Sequence, residues 1–388
     1  MWRFLLSGDR SDLHRLKRRT EVMRRRQRDR PGRAALLAGM ALLVIAGCGG
    51  GSARRPSGRA RTARVETSAR SEPIRTAPAR AAHSTPQALV TAQTENQLLL
   101  VDVPSGRVLK RMTVAGDPEY VATSGKRGVL VVVSSGSGTV TLLDGDALRP
   151  SRVLGGFGSP HIPAISPDDT YAYVTDDSRG QVAAISLFHD KVVSRVSVGA
   201  GAHHLAFSPD EGQVWVALGQ SARKIAILST VIGRTTGSSP VGDPGHPRLV
   251  GRFDPGFLAH DLLFTPDGKR VWITSADTSD VGVFSARSHR LVFRVPGGPP
   301  PQHVAMYGRF AYITSGYGSR IEQVALSSGR VLARARAPYG SFELDAGAGY
   351  VLTSSLLRGT LAIYTPQLHL LHVSQLAPST EDVLISRR

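Results

Sequence analysis

The chain of 388 residues holds a single cysteine, Cys48. One thiol rules out a disulfide framework within the chain. The longest apolar run is the 13 residues Ala34–Ala46. A bilayer-spanning helix needs about 20 such residues. Motifs that carry familiar chemistry are also missing: there is no GxSxG, no HExxH, no GxxxxGK(S/T) and no EF-hand loop. Their absence removes the nucleophile elbow, the two-histidine zinc helix, the phosphate loop and the calcium loop as starting points. "GGFGSP" at Gly155–Pro160 is a turn rather than a phosphate cradle. From residue 88 onward no helical period is convincing. The same region also lacks the basic excess suggested by the total charge of +18. Residues 1–87 hold 20 Lys/Arg against 6 Asp/Glu, a net +14, whereas residues 88–388 hold 28 against 24, a net +4. A nucleic-acid-binding domain carries its basic patch on the folded part, so no nucleic-acid partner is expected.

What is present begins with an address. Arg-rich sequence up to Arg33 precedes "AALLAGMALLVIAGC", whose apolar stretch has the length of a signal-peptide core. Its end, Ile45-Ala46-Gly47-Cys48, resembles the bacterial lipobox. That resemblance implies cleavage before Cys48 and a lipid on the new N-terminal cysteine. Residues 1–47 are then a lipoprotein signal peptide, and a start at Met23, "MRRRQRDRPGR", would give it an n-region of ordinary length. Residues 48–87 follow as a basic stretch without apolar periodicity, carrying 8 Arg against 2 Glu. This composition predicts a disordered tether lying near an anionic membrane or simply spacing the body from it. The expected location is the bacterial cell envelope, outside the cytoplasm and lipid-anchored.

Gly 41 and Pro 24 mark many turns, and between them lie short β-rich runs at regular spacing. Aligned on their Pro-Asp turns, the runs repeat. "PHIPAISPDDTYAYVTDDSRGQVAAIS" begins at Pro160, "HHLAFSPDEGQVWVALGQSARKIAILS" at His203 and "HDLLFTPDGKRVWITSADTSDVGVFS" at His260. "QHVAMYGRFAYITSGYGSRIEQVALSSGRVLARA" begins at Gln302 without that turn. The second strand of each carries an aromatic: Tyr173, Trp215, Trp272 or Tyr312. His161 to His203 is 42 residues and His260 to His303 is 43, the period of a four-stranded β-propeller blade. "AYVTDDSRGQVAAIS" and "PDGKRVWITSADTSDVGVFS" resemble the YVTN-type (YncE-like) propeller repeat. The resemblance covers residues 88–388 and implies an all-β propeller, a fold that hosts many functions.

Residues 88–115 supply only the second, third and fourth strands of a blade, and Glu381–Ser386 supply the missing first one. The expectation is therefore a seven-bladed ring closed by pairing of the C-terminal strand with the first blade, with first strands near residues 119, 161, 203, 260, 303, 343 and 381. Closure removes free sheet edges. His203 to His260 spans 57 residues, so blade four carries an insertion, Val231–Phe257. It is expected to link the fourth strand to the next blade's first strand, as a flap on the face of the channel mouth.

Read in register, the head of the first strand carries Glu119, His161, His203, His260, His303, Glu343 and Glu381. Such a column can converge on the channel mouth. Imidazole and carboxylate are ligands of Zn, Cu, Fe or Mn, and they are general acids and bases near neutral pH. A histidine at this place can equally hydrogen-bond the backbone of the next blade. His204 aligns with Ile162 and Asp261 and is expected to face elsewhere. His246, in the insertion, is either a cap on the well or a surface histidine. Asp176-Asp177 reads as an ordinary turn pair. The favoured function is an envelope-anchored binding or scaffolding module for a small ligand or partner protein at the channel mouth. The alternative is a metal-centred lyase, hydrolase or oxidoreductase built on the His/Glu ring.

Overall fold

The computed structural model describes residues 85–219, 221–232, 241–298 and 300–386. The expected signal peptide, Met23, Cys48 and the tether up to residue 84 lie outside the described residues. The remainder is a seven-bladed all-β propeller, each blade a four-stranded antiparallel sheet. Blade one combines Val383–Ile385 with Gln87–Ala92, Gln97–Asp102 and Arg107–Thr113. The first strands of the other blades are Pro118–Thr123, Pro160–Ile165, Leu205–Phe207, Ala259–Phe264, Val304–Tyr307 and Ser341–Gly347. Closure is as expected, with Ala88 opposite Ile385, Leu89 opposite Leu384 and Val90 opposite Val383.

The sequence dictates this blade in simple ways. The second strands are runs such as Val129–Ser134 and Arg270–Ser275, buried on both faces because each sheet packs between two others. Tyr173, Trp215, Trp272 and Tyr312 are fully buried there, and each large side chain removed from water contributes about 1.5–3 kcal/mol. The core is a series of clusters between neighbouring blades. One joins Leu352, Leu361 and Ile363 of blade seven to Val90, Leu99 and Val383 of blade one. The turn at Thr265-Pro266-Asp267-Gly268 closes a hairpin. The Thr265 hydroxyl donates to Asp267 (2.7 Å), whose carboxylate accepts the Lys269 N–H (3.1 Å). Gly268 sits at φ +67°, where a Cβ would be strained.

The insertion is placed differently from expectation. Arg248–Phe253 is the fourth strand of blade four, paired with Ile225–Ser229. The extra residues therefore lie between the third and fourth strands. They include a two-stranded ribbon, Val231–Ile232 with Val241–Gly242. The Thr230 N–H donates to the Gly212 carbonyl (3.2 Å), beside the turn between strands one and two. That is the end of the blade opposite the strand heads, so the insertion is not a flap on the mouth. Its described end packs on blade three, where Tyr173 OH donates to the Pro244 carbonyl and Ser194 to that of Gly245. His246 is exposed there and donates to Asp243 (2.9 Å). The strand "RLVGRF" was masked in the sequence by its alternating polar and apolar residues, the pattern of an outermost strand half in water.

Candidate functional site at the channel mouth

The first strands open on β-bulges. In blade five Ala259 faces Ser275 and Leu262 faces Ile273, so His260 and Asp261 together oppose Thr274. His161 and Ile162 oppose Thr175 in the same way, and Phe342 and Glu343 oppose Ser354. In blade four the His203 N–H donates to the Ala217 carbonyl (2.9 Å) and the Ala217 N–H donates to that of His204 (2.8 Å). Gln302 and His303 share Thr314 likewise. A bulge breaks the strict alternation of faces and re-aims side chains. Two successive residues per blade can therefore turn toward the axis.

A threonine hydroxyl fastens the bulge. Thr175 Oγ1 accepts the Ile162 N–H (2.9 Å) and donates to the His203 carbonyl of the next blade (2.7 Å). Thr274 does the same for Asp261 and Gln302 (2.9 and 2.7 Å), and Thr91 for Asp382 and Glu119 (2.8 and 2.7 Å). Thr314 links His303 to Phe342. These are the threonines of the repeat motif, at "LVTA", "YVTD", "WITS" and "YITS".

The clasps fix the register and correct the column in two blades. The outer positions in this register are Glu119, His161, His203, His260, Gln302, Phe342 and Glu381. The inner positions are Tyr120, Ile162, His204, Asp261, His303, Glu343 and Asp382, with Ile162 packed into the clusters between blades and Phe342 against Tyr317. His303 and Glu343 thus stand one residue deeper than the sequence alignment placed them. His204 belongs to the well rather than facing elsewhere, because the bulge puts it on the same side as His203. Outer side chains are partly open, with His161 at 17% and His203 at 21% exposure, whereas His204 is at 2%.

The rings converge. His161 and His203 stack at 4.0 Å between centroids and 13° between planes. His204 is the hub, 5.2 Å from His161, 4.8 Å from His203, 4.8 Å from His260 and 4.7 Å from His303. Tyr120 of blade two approaches His161 at 4.9 Å and His303 of blade six at 6.4 Å. One ring nitrogen from each of His161, His203 and His204 lies within 4.8 Å of the others, and the same holds for His204, His260 and His303.

Carboxylates hold these imidazoles from outside. His161 Nδ1 donates to Glu119 (3.0 Å), His203 Nδ1 to Asp177 (3.1 Å) and His204 Nδ1 pairs with Asp261 (3.4 Å). His303 is held twice, by Asp261 at Nδ1 (3.5 Å) and Glu343 at Nε2 (2.5 Å), and Tyr120 OH also donates to Glu343 (2.8 Å). Burial holds the pKa of His161, His204 and His260 well below the usual imidazole range, and neighbouring imidazoles add to the effect at all three. Burial also opposes charge on His303, but Glu343 and Asp261 outweigh it and push its pKa up to about 10. Asp261 is held well below the usual carboxylate value by His303 and His204 despite its burial. One imidazolium clamped by two carboxylates therefore stands beside three neutral imidazoles. The Nε2 atoms of His161 and His204 are buried without a hydrogen-bond partner, a state that costs about 1–3 kcal/mol for each such group.

Blades three to six thus supply all five histidines, and blades seven, one and two supply Glu343, Glu381, Asp382 and Glu119. The nitrogen partners of His161, His203, His204 and His303 are carboxylates rather than backbone carbonyls of the next blade. Sequence reasoning found the outer ring in five of seven blades, placed His303 and Glu343 one residue off, and missed His204, Asp261, Tyr120 and Asp177. The double histidine "HH" at the strand head was the available signal for His204.

The model of the Cytochrome D1 heme domain family matches residues 124–228, about a quarter of the chain, which spans His161, His203 and His204. No curated protein matches the sequence. Among solved structures the chain resembles hydrazine synthase of Kuenenia stuttgartiensis, with a TM-score of 0.61 at 16% identity, over 72% of this chain and 92% of that one. It also resembles a functionally unknown protein from Desulfotomaculum acetoxidans DSM 771, with a TM-score of 0.64 at 16% identity, over 78% and 99%. A third is the dihydro-heme d1 dehydrogenase NirN in complex with DHE, with a TM-score of 0.54 at 16% identity, over 79% and 67%. At this identity the likeness shows the propeller fold alone.

Proposed function

We propose that the chain is a YVTN-type propeller lipoprotein that acts as a binding module on the bacterial cell envelope, with the channel mouth as its ligand seat. Lipid on Cys48 and the basic stretch after it hold the propeller at the membrane. The observation that carries the reading is the pair of buried, unpartnered Nε2 atoms on His161 and His204. Buried nitrogen lone pairs are normally satisfied, so a well that leaves two open is built for a ligand. A metal-centred enzyme is the second reading, favoured by the same imidazoles.

The partial match to a heme domain raises a tetrapyrrole as the ligand. The residues do not fit one between the imidazoles. Their rings already touch, at 4.0–5.3 Å between neighbouring centroids, and leave no slot for a macrocycle.

Thermal unfolding of the tag-free protein against divalent metals, carboxylates, phosphates and amines tests the seat. At a ligand concentration of about 100 Kd, binding adds roughly 2.7 kcal/mol. At least one class should raise the Tm of the wild type, and His161→Ala/His204→Ala should lose that shift. No shift from any class contradicts a binding role. For the anchor, Cys48→Ser should move the protein from the membrane fraction to the soluble fraction, and an unchanged membrane fraction contradicts it.

A further inference from the structure

We infer that His161, His203 and His204 bind one divalent transition-metal ion through their Nε2 atoms, with Glu119, Asp177 and Asp261 as positioning residues. The inference rests on the channel-mouth reading and names the ligand class of that seat.

Four observations converge on it. First, one nitrogen from each of the three rings lies within 4.8 Å of the others. Three nitrogens around a tetrahedral ion at about 2.0–2.1 Å stand roughly 3.3 Å apart, so the rings must draw closer and the stacked pair His161 and His203, 13° between planes, must tilt apart to aim both lone pairs at one ion. Second, each Nδ1 is held by its own carboxylate, Glu119, Asp177 or Asp261. A carboxylate can only accept here, so Nδ1 carries the hydrogen and the lone pair is left on Nε2. A histidine that ligates through one nitrogen while a carboxylate holds the other is the usual outer shell of a metal site. Third, the Nε2 atoms of His161 and His204 are buried and lack any partner. An ion would satisfy both at once. Fourth, three carboxylates, Glu119, Asp177 and Asp261, stand around the trio and supply negative charge to balance a dication.

The alternative trio of His204, His260 and His303 is weaker. Both nitrogens of His303 are engaged, by Asp261 and Glu343. His260 remains the nearest further donor, its ring 4.8 Å from that of His204. A trio of imidazoles suits Zn2+, Cu2+ and Ni2+ rather than Mg2+ or Ca2+, which prefer oxygen.

The test is calorimetric titration of the chelator-stripped, tag-free full chain with ZnCl2, and separately with CuCl2. The expected result is one equivalent bound, unaffected by His246→Ala on the opposite face. His204→Ala should weaken binding at least 100-fold. Asp177→Asn keeps every imidazole in place and touches only His203, so it keeps the inference testable if the histidine variant fails to fold. It should weaken binding about 10–100-fold at an unchanged Tm of the metal-free protein. No binding of either ion by the folded wild type overturns the inference, as does full affinity in Asp177→Asn and His204→Ala. If metals fail while an organic ligand still stabilises the protein through His161 and His204, the metal assignment falls and the binding module stands.

Discussion

At the scale of single residues, the five imidazoles of the mouth divide by their partners. His303 lies between two carboxylates and carries charge, whereas burial keeps His161, His204 and His260 neutral. The acid half of the ring shows the opposite problem. Burial, and then the nearby Glu119 and Glu343, push the Glu381 carboxyl well above its ordinary value of 4.5. The folded state thus holds this proton more tightly than the unfolded chain does. Its contribution to stability is complete below pH 4.5 and is lost as pH rises through the higher folded value. Glu381→Gln mimics the protonated form. It should raise the Tm at pH 8 by at least about 2 °C, the shift that roughly 1 kcal/mol gives in a large domain, and leave the Tm at pH 4.5 unchanged. Equal Tm values for both proteins at pH 8 would show that Glu381 is not under strain.

The element that makes the site is the bulged strand head with its threonine clasp. Without the Thr175 hydroxyl, the Ile162 N–H and the His203 carbonyl both lose a partner inside the structure. Thr175→Val keeps the shape and removes the bonds, and it should cost about 1–3 kcal/mol per stranded group in urea unfolding. A loss under 0.5 kcal/mol, roughly the range of an ordinary surface substitution, would mean that the clasp is idle. Repeat spacing made the strands, their aromatics and the outer ring legible, because Pro-Asp turns anchor the alignment at His161, His203 and His260. Blade six turns at Tyr307-Gly308-Arg309 without that anchor, and there the register slipped by one, as it did in blade seven. His204 was misread because strict alternation was assumed where a bulge suspends it. The fourth strand at Arg248–Phe253 was missed because an outermost strand half in water has no core pattern to announce it.

At the scale of the whole molecule, ring closure and the site are one construction. The C-terminal strand pairs with the first blade and at the same time delivers Glu381 and Asp382 to the well, where Asp382 accepts the Val121 N–H of blade two (2.9 Å). The missing strand at one end of the sequence and the spare one at the other made this closure readable. The same ring divides its mouth between an imidazole half on blades three to six and a carboxylate half on blades seven, one and two. That division turns a common fold into a specific well, and the central claim is that the imidazole half takes a metal ion. The most direct measurement is anomalous diffraction at the zinc edge from crystals of the tag-free protein grown with ZnCl2. The account predicts a peak about 2.1 Å from Nε2 of His161, His203 and His204. An intact ring whose zinc lies elsewhere, or whose mouth shows no peak, would contradict it.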